Sequence, residues 1–412
     1  MKRKRFLWGI LFASIWGLVV PQAWGQTIKI GTLFPMTGPM AGYGVDCKNG
    51  VQMAVDEINS KGGIKSLKGA KIEIVWGDHR MNPNVAVSET ERLSERENAV
   101  TIIDFPPSLT SVAASPIAER LKTPFFCSLS FADILTSRGF KYTFQQMPTA
   151  YYVSTYGVGC LDFLGKTVGR KLSKVGVIYE DTDYGQSLAK GYRIHLKDKG
   201  YTIVADISYP AKSLDLTPQV TKLKAANLDA VIQASYLADS ILMAKTARRL
   251  QLNVPFIDST GKATLAYLNA AGPNAEYDFI MNMWNKDIPG ATELNNRFKA
   301  LYNIDFTSHA VIVYQAILTL SEVLEVAGRK DPGLLQKSLP EIHNRVRDTL
   351  SEIDIPPGPK LVLPHPRQKY NEAGLNTYGG FIVCQVQNGE MRTVWPEKYA
   401  STKIRISPDW WK

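Results

Sequence analysis

The residue that best fits a chemical role is Ser108, which follows Pro106-Pro107 and opens a segment with helical periodicity. The first N–H groups of a helix lack intrahelical acceptors, so a helix start and its dipole attract a carboxylate. A serine at this position can equally cap those N–H groups with its own hydroxyl. The sequence therefore predicts either an anion-binding helix start or an ordinary helix cap.

A second candidate site follows a predicted strand, the apolar run 124–128. The next residues are Leu129, Ser130 and Phe131. Ligands of open α/β sheets bind beyond the carboxyl ends of strands, so this segment is predicted to lie at a binding cleft. Ser130 has a hydroxyl that can donate to a ligand, whereas Phe131 fits either a cleft wall or the core.

The sequence carries none of the common catalytic signatures. It has no Gly-x-Ser-x-Gly elbow, no His-Glu-x-x-His and no P-loop. Gly42-Tyr43-Gly44 begins a dinucleotide-binding pattern, but Cys47 stands where the third glycine belongs. The five histidines are dispersed. A binding protein without cofactor or metal is therefore favoured over an enzyme.

Short apolar strands alternate with amphipathic helices, which indicates βαβ units and parallel sheets. The rhythm stops near residue 128 and restarts near residue 172, so two α/β domains are predicted. Strand-like runs at 380–386 and 391–395 cannot be placed from periodicity. The predicted strands are 27–34, 71–76, 100–104, 124–128, 172–179, 201–208, 230–234 and 255–258, and the helices are 45–61, 83–97, 108–121, 183–199, 217–226, 238–250 and 308–327.

The first 25 residues have the features of a secretory signal peptide. Four bases at Lys2–Arg5 precede the apolar run Phe6–Val20, and Ala23 and Gly25 are small residues at the cleavage-determining positions. We expect a soluble exported protein that begins at Gln26; an uncleaved anchor is the alternative.

Charge and cysteine usage narrow the function classes. The net charge is +10, but bases are scattered among acids without a basic stripe, which argues against nucleic-acid binding.

The four cysteines show no Cys-x-x-Cys or metal-ligand spacing; they are Cys47, Cys127, Cys160 and Cys384. Export permits disulfides, whose pairing stays open. Cys127 lies in an apolar run and is predicted to be a buried free thiol.

Three segments together resemble those of a known family. They are the strand and loop Ile30–Pro39, the helix and exit Gly50–Gly63, and the turn Asp183–Gln186. They are similar to the leucine/isoleucine/valine-binding class of periplasmic solute-binding proteins of ABC importers. The resemblance implies a type I periplasmic-binding fold, in which two Rossmann-like parallel-sheet lobes are joined by a three-crossing hinge. Ligand binds between the lobes and stabilises the closed form.

The resemblance also implies the division of the chain. The three crossings are expected near Met147, Trp284 and Glu352. Residues 26–147 and 285–351 then form the first lobe, and residues 148–284 and 352–412 form the second lobe.

Several cleft residues follow from the resemblance. Tyr43, in the glycine-rich loop 37–44, matches a cleft tyrosine, as do Tyr184 and Tyr236. The loop could otherwise be a flexible surface turn, and Tyr184 and Tyr236 could be ordinary half-buried tyrosines. Asp183 is expected to cap the helix that carries Tyr184.

The resemblance also assigns a carboxylate site. Ser108 matches a contact with the ligand carboxylate. Residues 129–131 match a small-residue and threonine turn with the same role, in which Phe131 replaces the threonine. Leu129 and Ser130 complete this turn.

The most informative departure from the family is Thr260. Amino-acid-binding members carry an acid there, which pairs the ligand ammonium, and a buried ammonium without a partner is strongly unfavourable. Asp258 could substitute, although strand alternation points its side chain to the other face. Gly261 is expected to line the cleft beside Thr260. His309 matches an apolar aromatic position and could line the cleft or face solvent.

The sequence thus predicts a monomer that captures a small hydrophobic or aromatic carboxylate for an ABC permease and ATPase. The runner-up ligand is a neutral or branched-chain amino acid. Alternatives of other classes are a ligand-sensing receptor domain and a periplasmic enzyme.

Overall fold

The computed structural model describes residues 26–38 and 40–412, so the predicted signal peptide lies outside the described residues. The first lobe is built on a parallel sheet with strand order β2-β1-β3-β4-β5. Its strands are β1 (Thr27–Phe34), β2 (Lys71–Asp78), β3 (Thr101–Asp104), β4 (Phe125–Cys127) and β5 (Thr143–Gln145). Its helices up to this point are α1 (Ala41–Ser60), α2 (Pro83–Glu91), α3 (Ser108–Leu121) and α4 (Ile134–Ser137).

The second lobe follows, with helices α5 (Ala150–Thr167), α6 (Asp183–Asp198), α7 (Thr217–Ala225), α8 (Leu237–Arg249) and α9 (Leu265–Ala271). Its strands are β6 (Lys174–Glu180), β7 (Thr202–Tyr209), β8 (Ala230–Ala234), β9 (Phe256–Asp258) and β10 (Phe279–Asn282). The chain continues through α10 (Ala291–Tyr302), α11 (Ser308–Lys330), α12 (Leu339–Glu352), β11 (Asp354–Ile355), β12 (Gln368–Lys369), β13 (Ile382–Gln387) and β14 (Glu390–Trp395). The second sheet has the order β14-β13-β10-β9-β8-β6-β7. Its strand β13 pairs antiparallel with both of its neighbours, β10 and β14. The prediction of two parallel-sheet α/β lobes is confirmed.

The chain after α12 contributes to both lobes. Leu375 pairs with Gln145 at the end of β5 as an isolated parallel bridge, and the ring of Tyr370 packs against that of Phe144 at 5.6 Å between centroids. Residues 368–376 therefore lie on the first lobe, whereas β13 extends the second sheet. We propose that the first two hinge crossings lie near Met147 and near Trp284. The third is proposed between residues 376 and 382 rather than near Glu352.

α11 is a core helix of the first lobe. Among the described residues it is the helix that is long and apolar enough to cross a membrane by length and composition. In the structure, 72% of its most apolar window is buried inside the protein. Its apolar character therefore serves packing in this fold.

The four cysteines are buried and free. Cys127 in particular is completely buried in β4, as predicted from its apolar run. Burial raises the pKa of the Cys127 thiol well above its ordinary value, so the unreactive thiol form predominates.

Helix α1 begins at Ala41, four residues before the predicted start. The glycines at its beginning had indicated a loop, because glycine has low helix propensity. Gly44 is there for a packing reason: a Cβ at this position would lie 2.3 Å from the carbonyl oxygen of Pro35. Tyr43 is consequently held on a rigid helix rather than on a loop.

A further glycine sets the approach of α1 to α11. A Cβ added at Gly50 would lie 2.2 Å from the carbonyl oxygen of Ala310. We expect Gly50→Ala to force the helices apart and to destabilise the protein by about 1–3 kcal/mol. Gly42→Ala, on the same helix with no atom within 4 Å, is the matched control. Thermal denaturation followed by circular dichroism should show a lower midpoint for Gly50→Ala alone; equal midpoints would contradict the packing argument.

Candidate functional site

A narrow cavity lies between the two lobes, at the carboxyl ends of strands from both sheets. Its volume is about 30 Å³, so the two walls meet closely. Nine of the ten predicted cleft residues line it, and Ser130 does not. The lining residues are Met40, Tyr43, Phe105, Pro106, Ser108, Leu129, Phe131, Tyr184, Ser235, Tyr236, Thr260, Gly261 and His309.

Ser108 is the first helical residue of α3, and Pro107 occupies the N-cap position without a side-chain capping bond. The hydroxyl oxygen of Ser108 accepts a hydrogen bond from the N–H of Phe131 at 3.3 Å. No acceptor for its own proton is found within the described part of the chain. Ser108 is therefore not a helix cap, and its hydroxyl can donate into the cavity. The first-turn N–H of Thr110 donates to the carbonyl of Pro107, whereas the N–H groups of Ser108 and Leu109 have no acceptor among the described residues.

Ser130 is turned away from the cavity. Its hydroxyl contacts that of Ser111, which in turn donates to the buried carboxylate of Asp104. Burial raises the pKa of Asp104 well above its ordinary value, and the two serine hydroxyls oppose this shift. The predicted ligand contact of Ser130 finds no support here: alternate residues of an extended segment face opposite sides, so Leu129 and Phe131 line the cavity while Ser130 serves Asp104.

The first-lobe aromatic group consists of Tyr43, Phe105 and His309. The ring centroids of Tyr43 and His309 are 4.7 Å apart, and those of Phe105 and His309 are 5.8 Å apart, both edge to face. The Tyr43 hydroxyl reaches across the cleft to the carbonyl of Gly261 at 3.5 Å. His309 is 3% exposed, so the alternative of a solvent-facing histidine is wrong.

The cross-cleft aromatic group consists of Phe131, Tyr184 and Tyr236. The ring centroids of Phe131 and Tyr184 are 6.0 Å apart, and those of Tyr184 and Tyr236 are 5.2 Å apart. The Tyr184 hydroxyl contacts the Ser259 hydroxyl and lies 3.3 Å from that of Thr260. The two groups together contribute six of the thirteen lining residues.

Asp183 had been expected to cap the helix that carries Tyr184, but it does not. Asp183 is its first helical residue, and the N-cap is Thr182. The buried carboxylate of Glu180 instead accepts hydrogen bonds from the N–H groups of Thr182 at 2.6 Å and of Gly185 at 2.8 Å. Glu180 thereby fixes the helix start and the position of Tyr184.

The cavity wall has no charged side chain among the lining residues that the structure describes. Thr260 lines it, where amino-acid-binding relatives were expected to hold an acid. Asp258 lies one layer behind, where its Oδ2 accepts from the hydroxyl of Ser235 at 2.6 Å. Its Oδ1 has no partner among the described residues. Burial raises the pKa of Asp258 to about 7, an effect that nearby Lys262 opposes.

Four lining residues were missed by sequence reasoning: Met40, Phe105, Pro106 and Ser235. Phe105 directly follows β3, and Ser235 directly follows β8. The strand-end rule that found residues 129–131 would have found these two if it had been applied to every strand. Met40 precedes a helix start that the sequence did not reveal.

Comparison with known proteins agrees with this architecture. The sequence model of the family described as periplasmic binding protein matches residues 27–354. Leu/Ile/Val-binding protein homolog 7 of Brucella suis is 30% identical over 404 residues, covering 92% of this chain and 94% of the relative. Leu/Ile/Val-binding protein homolog 8 of Brucella abortus is 28% identical over 403 residues, covering 92% and 93%.

Solved structures share the fold. The leucine-binding protein LivK of Thermotoga maritima superposes with a TM-score of 0.75 at 21% identity, covering 90% of this chain and 98% of that protein. A solute-binding protein of R. palustris in complex with benzoate gives 0.73 at 18% identity, covering 93% and 99%. Fold, cleft and relatives agree with the resemblance seen in the sequence, and the chain belongs to the periplasmic binding protein family, among the relatives of the Leu/Ile/Val-binding proteins.

Proposed function

We propose that this protein is the exported solute-binding component of an ABC importer and captures a small hydrophobic or aromatic carboxylate between its lobes. The observation that carries the proposal is the composition of the cavity wall. It combines a helix start and a free hydroxyl at Ser108 with aromatic side chains, and none of its described lining residues carries a charged group.

The carboxylate end of the ligand is expected at α3. The first-turn N–H groups and the hydroxyl of Ser108 are donors, and the helix dipole favours negative charge at this end. Leu129 and Phe131 enclose the same place from the neighbouring loop. This arrangement favours an anion without requiring a basic side chain.

The remainder of the ligand is expected to be apolar and to lack an ammonium group. The neutral Thr260 offers an ammonium only a hydroxyl, which makes a weaker bond than a carboxylate would. The aromatic walls favour apolar ligand surface, which gains roughly 25 cal/mol for each Å² removed from water. The benzoate complex of the R. palustris protein supports the idea that this fold can house a carboxylate without an amine.

A neutral or branched-chain amino acid is the second candidate, and Asp258 is the observation that favours it. Its Oδ1 is buried without a partner, and Ser235 stands between it and the cavity. The names of the Leu/Ile/Val-binding relatives point the same way. In this case Asp258 would attract the ammonium through Ser235.

The two candidates and the transport role can be tested directly. A thermal-shift screen over amino acids, aliphatic acids and aromatic acids should show the largest stabilisation with aromatic or branched aliphatic acids. Stabilisation by amino acids alone would replace the first candidate with the second. Uptake of the labelled ligand by cells with and without the gene then tests import; binding without any loss of uptake would favour a sensing role.

Ser108→Ala should weaken binding of the acid found in that screen by about 1–3 kcal/mol, because it removes a buried donor to a carboxylate. Ser115→Ala is the matched control, since Ser115 lies on the same helix and does not line the cavity. Calorimetry should show the loss for Ser108→Ala alone. Equal affinities of the two variants would place the carboxylate elsewhere.

A further inference from the structure

The cavity contains a histidine acceptor that the protein does not use. His309 lines the cavity, is 3% exposed, and its Nδ1 has no hydrogen-bond partner among the described residues. A buried polar atom without a partner costs about 1–3 kcal/mol, so an unpaired atom on a residue that lines a ligand cavity is a candidate contact for a ligand or a water.

The protonation state of His309 determines whether Nδ1 can accept a hydrogen bond. Burial lowers the pKa of the His309 imidazole to about 3, and the backbone of Ala263 lies beside the ring. The ring is therefore neutral at neutral pH, with one N–H and one lone pair. Because Nδ1 is the nitrogen without a partner, we assign the N–H to Nε2, beside the backbone of Ala263, and the lone pair to Nδ1.

The surroundings of His309 supply no donor for that lone pair. Its neighbours in the first-lobe aromatic group are the rings of Tyr43 and Phe105. The Tyr43 hydroxyl is directed to the carbonyl of Gly261. A donor for Nδ1 must therefore come from what occupies the cavity.

This acceptor lies apart from the predicted carboxylate anchor. Ser108 is bonded to Phe131, which belongs to the cross-cleft aromatic group. His309 packs in the first-lobe aromatic group with Tyr43. The two polar points of the cavity are thus associated with different aromatic groups, and we place separate polar groups of the ligand at them.

We propose that the ligand carries a hydrogen-bond donor in addition to its carboxylate, and that Nδ1 of His309 accepts it. The inference rests on the proposed capture of a carboxylate. It narrows the ligand class to hydroxylated aromatic acids, in which a ring hydroxyl donates to His309 while the carboxylate lies at Ser108. His309 is then the residue that separates hydroxylated from unsubstituted acids.

Calorimetry with three ligands of one skeleton tests this assignment: 3-phenylpropionate, 3-(3-hydroxyphenyl)propionate and 3-(4-hydroxyphenyl)propionate. At least one hydroxylated acid should bind about tenfold or more tightly than 3-phenylpropionate, because the unsubstituted acid leaves Nδ1 unpaired. His309→Phe should abolish this preference. His309→Asn, whose amide oxygen can replace Nδ1 as acceptor, should restore part of it.

The outcomes separate this inference from the proposed function. If 3-phenylpropionate binds as tightly as both hydroxylated acids, or if His309→Phe keeps the preference, the assignment to His309 is wrong while carboxylate capture stands. A bound water that donates to Nδ1 would explain equal binding of 3-phenylpropionate and the hydroxylated acids. If no acid binds the unmodified protein and amino acids do, the proposed function fails and the inference fails with it. Comparing ligands within each variant removes any effect of the substitution on folding.

Discussion

3-Phenylpropionate is expected to bind more tightly than phenylalanine, and 4-methylpentanoate more tightly than leucine, each by about 3 kcal/mol or roughly a hundredfold. Each pair shares a carbon skeleton and differs in the ammonium group. Bringing an ammonium into the cavity removes it from water, and the lining offers it no carboxylate. Replacing the ammonium by hydrogen removes that cost and leaves the contacts at Ser108 in place. Calorimetry on each pair measures the difference directly.

Thr260→Glu is the complementary variant. A negative charge in the cavity wall should weaken binding of 3-phenylpropionate and improve binding of phenylalanine relative to it. Thr260→Val, of similar size without charge, is the control. If both amino acids bind the unmodified protein better than their deaminated partners, the ligand proposal is wrong. Asp258→Asn would then be expected to remove the preference, since Asp258 accepts a hydrogen bond from the lining residue Ser235.

Lys262→Met is expected to destabilise the protein by about 3–5 kcal/mol, the typical result of removing one partner of a buried ion pair. The ammonium of Lys262 is 0% exposed and lies 2.9 Å from the carboxylate of Asp278, which is 8% exposed. The Tyr267 hydroxyl contacts the same carboxylate. Without Lys262, the charge of Asp278 would remain buried and uncompensated. Denaturant unfolding followed by tryptophan fluorescence should show the lower midpoint.

Two further variants separate the ion pair from simple loss of side-chain packing. The double variant Lys262→Met with Asp278→Asn removes both charges and should recover much of the lost stability. Lys299→Met removes one partner of a pair with Asp305 in which the lysine is 56% exposed, and it should cost less than about 1 kcal/mol. If the double variant is no more stable than Lys262→Met, lost packing explains the effect instead.

The elements that the sequence predicted well are those in which local pattern and tertiary packing agree. α3 runs from Ser108 to Leu121 and β8 from Ala230 to Ala234, both as predicted. The start of α1 was wrong, because the need for Gly44 comes from the Pro35 carbonyl and not from local propensity. The pairing of Leu375 with β5 has no local signature, since it depends on where two distant segments meet.

For the cleft, the sequence predicted which segments follow the strand ends, but it predicted less well which way each side chain points. Leu129 and Phe131 after β4 line the cavity, but the buried carboxyl group of Asp104 draws Ser130 to the opposite side. Asp258 does not itself line the cavity, but it accepts a hydrogen bond from Ser235, which does. What the sequence could not reveal is the unpaired state of His309, because a missing partner is a property of the whole surroundings.

The placement of the C-terminal segments bears on how the protein folds. The first lobe receives its core helix α11 only after the chain has passed through the second lobe, and the second sheet is completed by β13 and β14, so neither lobe has all its elements until long after β10 has been made. Contacts between residues so distant in sequence slow folding. A nascent chain of this design stays incompletely folded during synthesis, which suits a polypeptide that crosses a membrane before it folds. A chain truncated after β10 should therefore have two incomplete lobes and should not contain one intact domain.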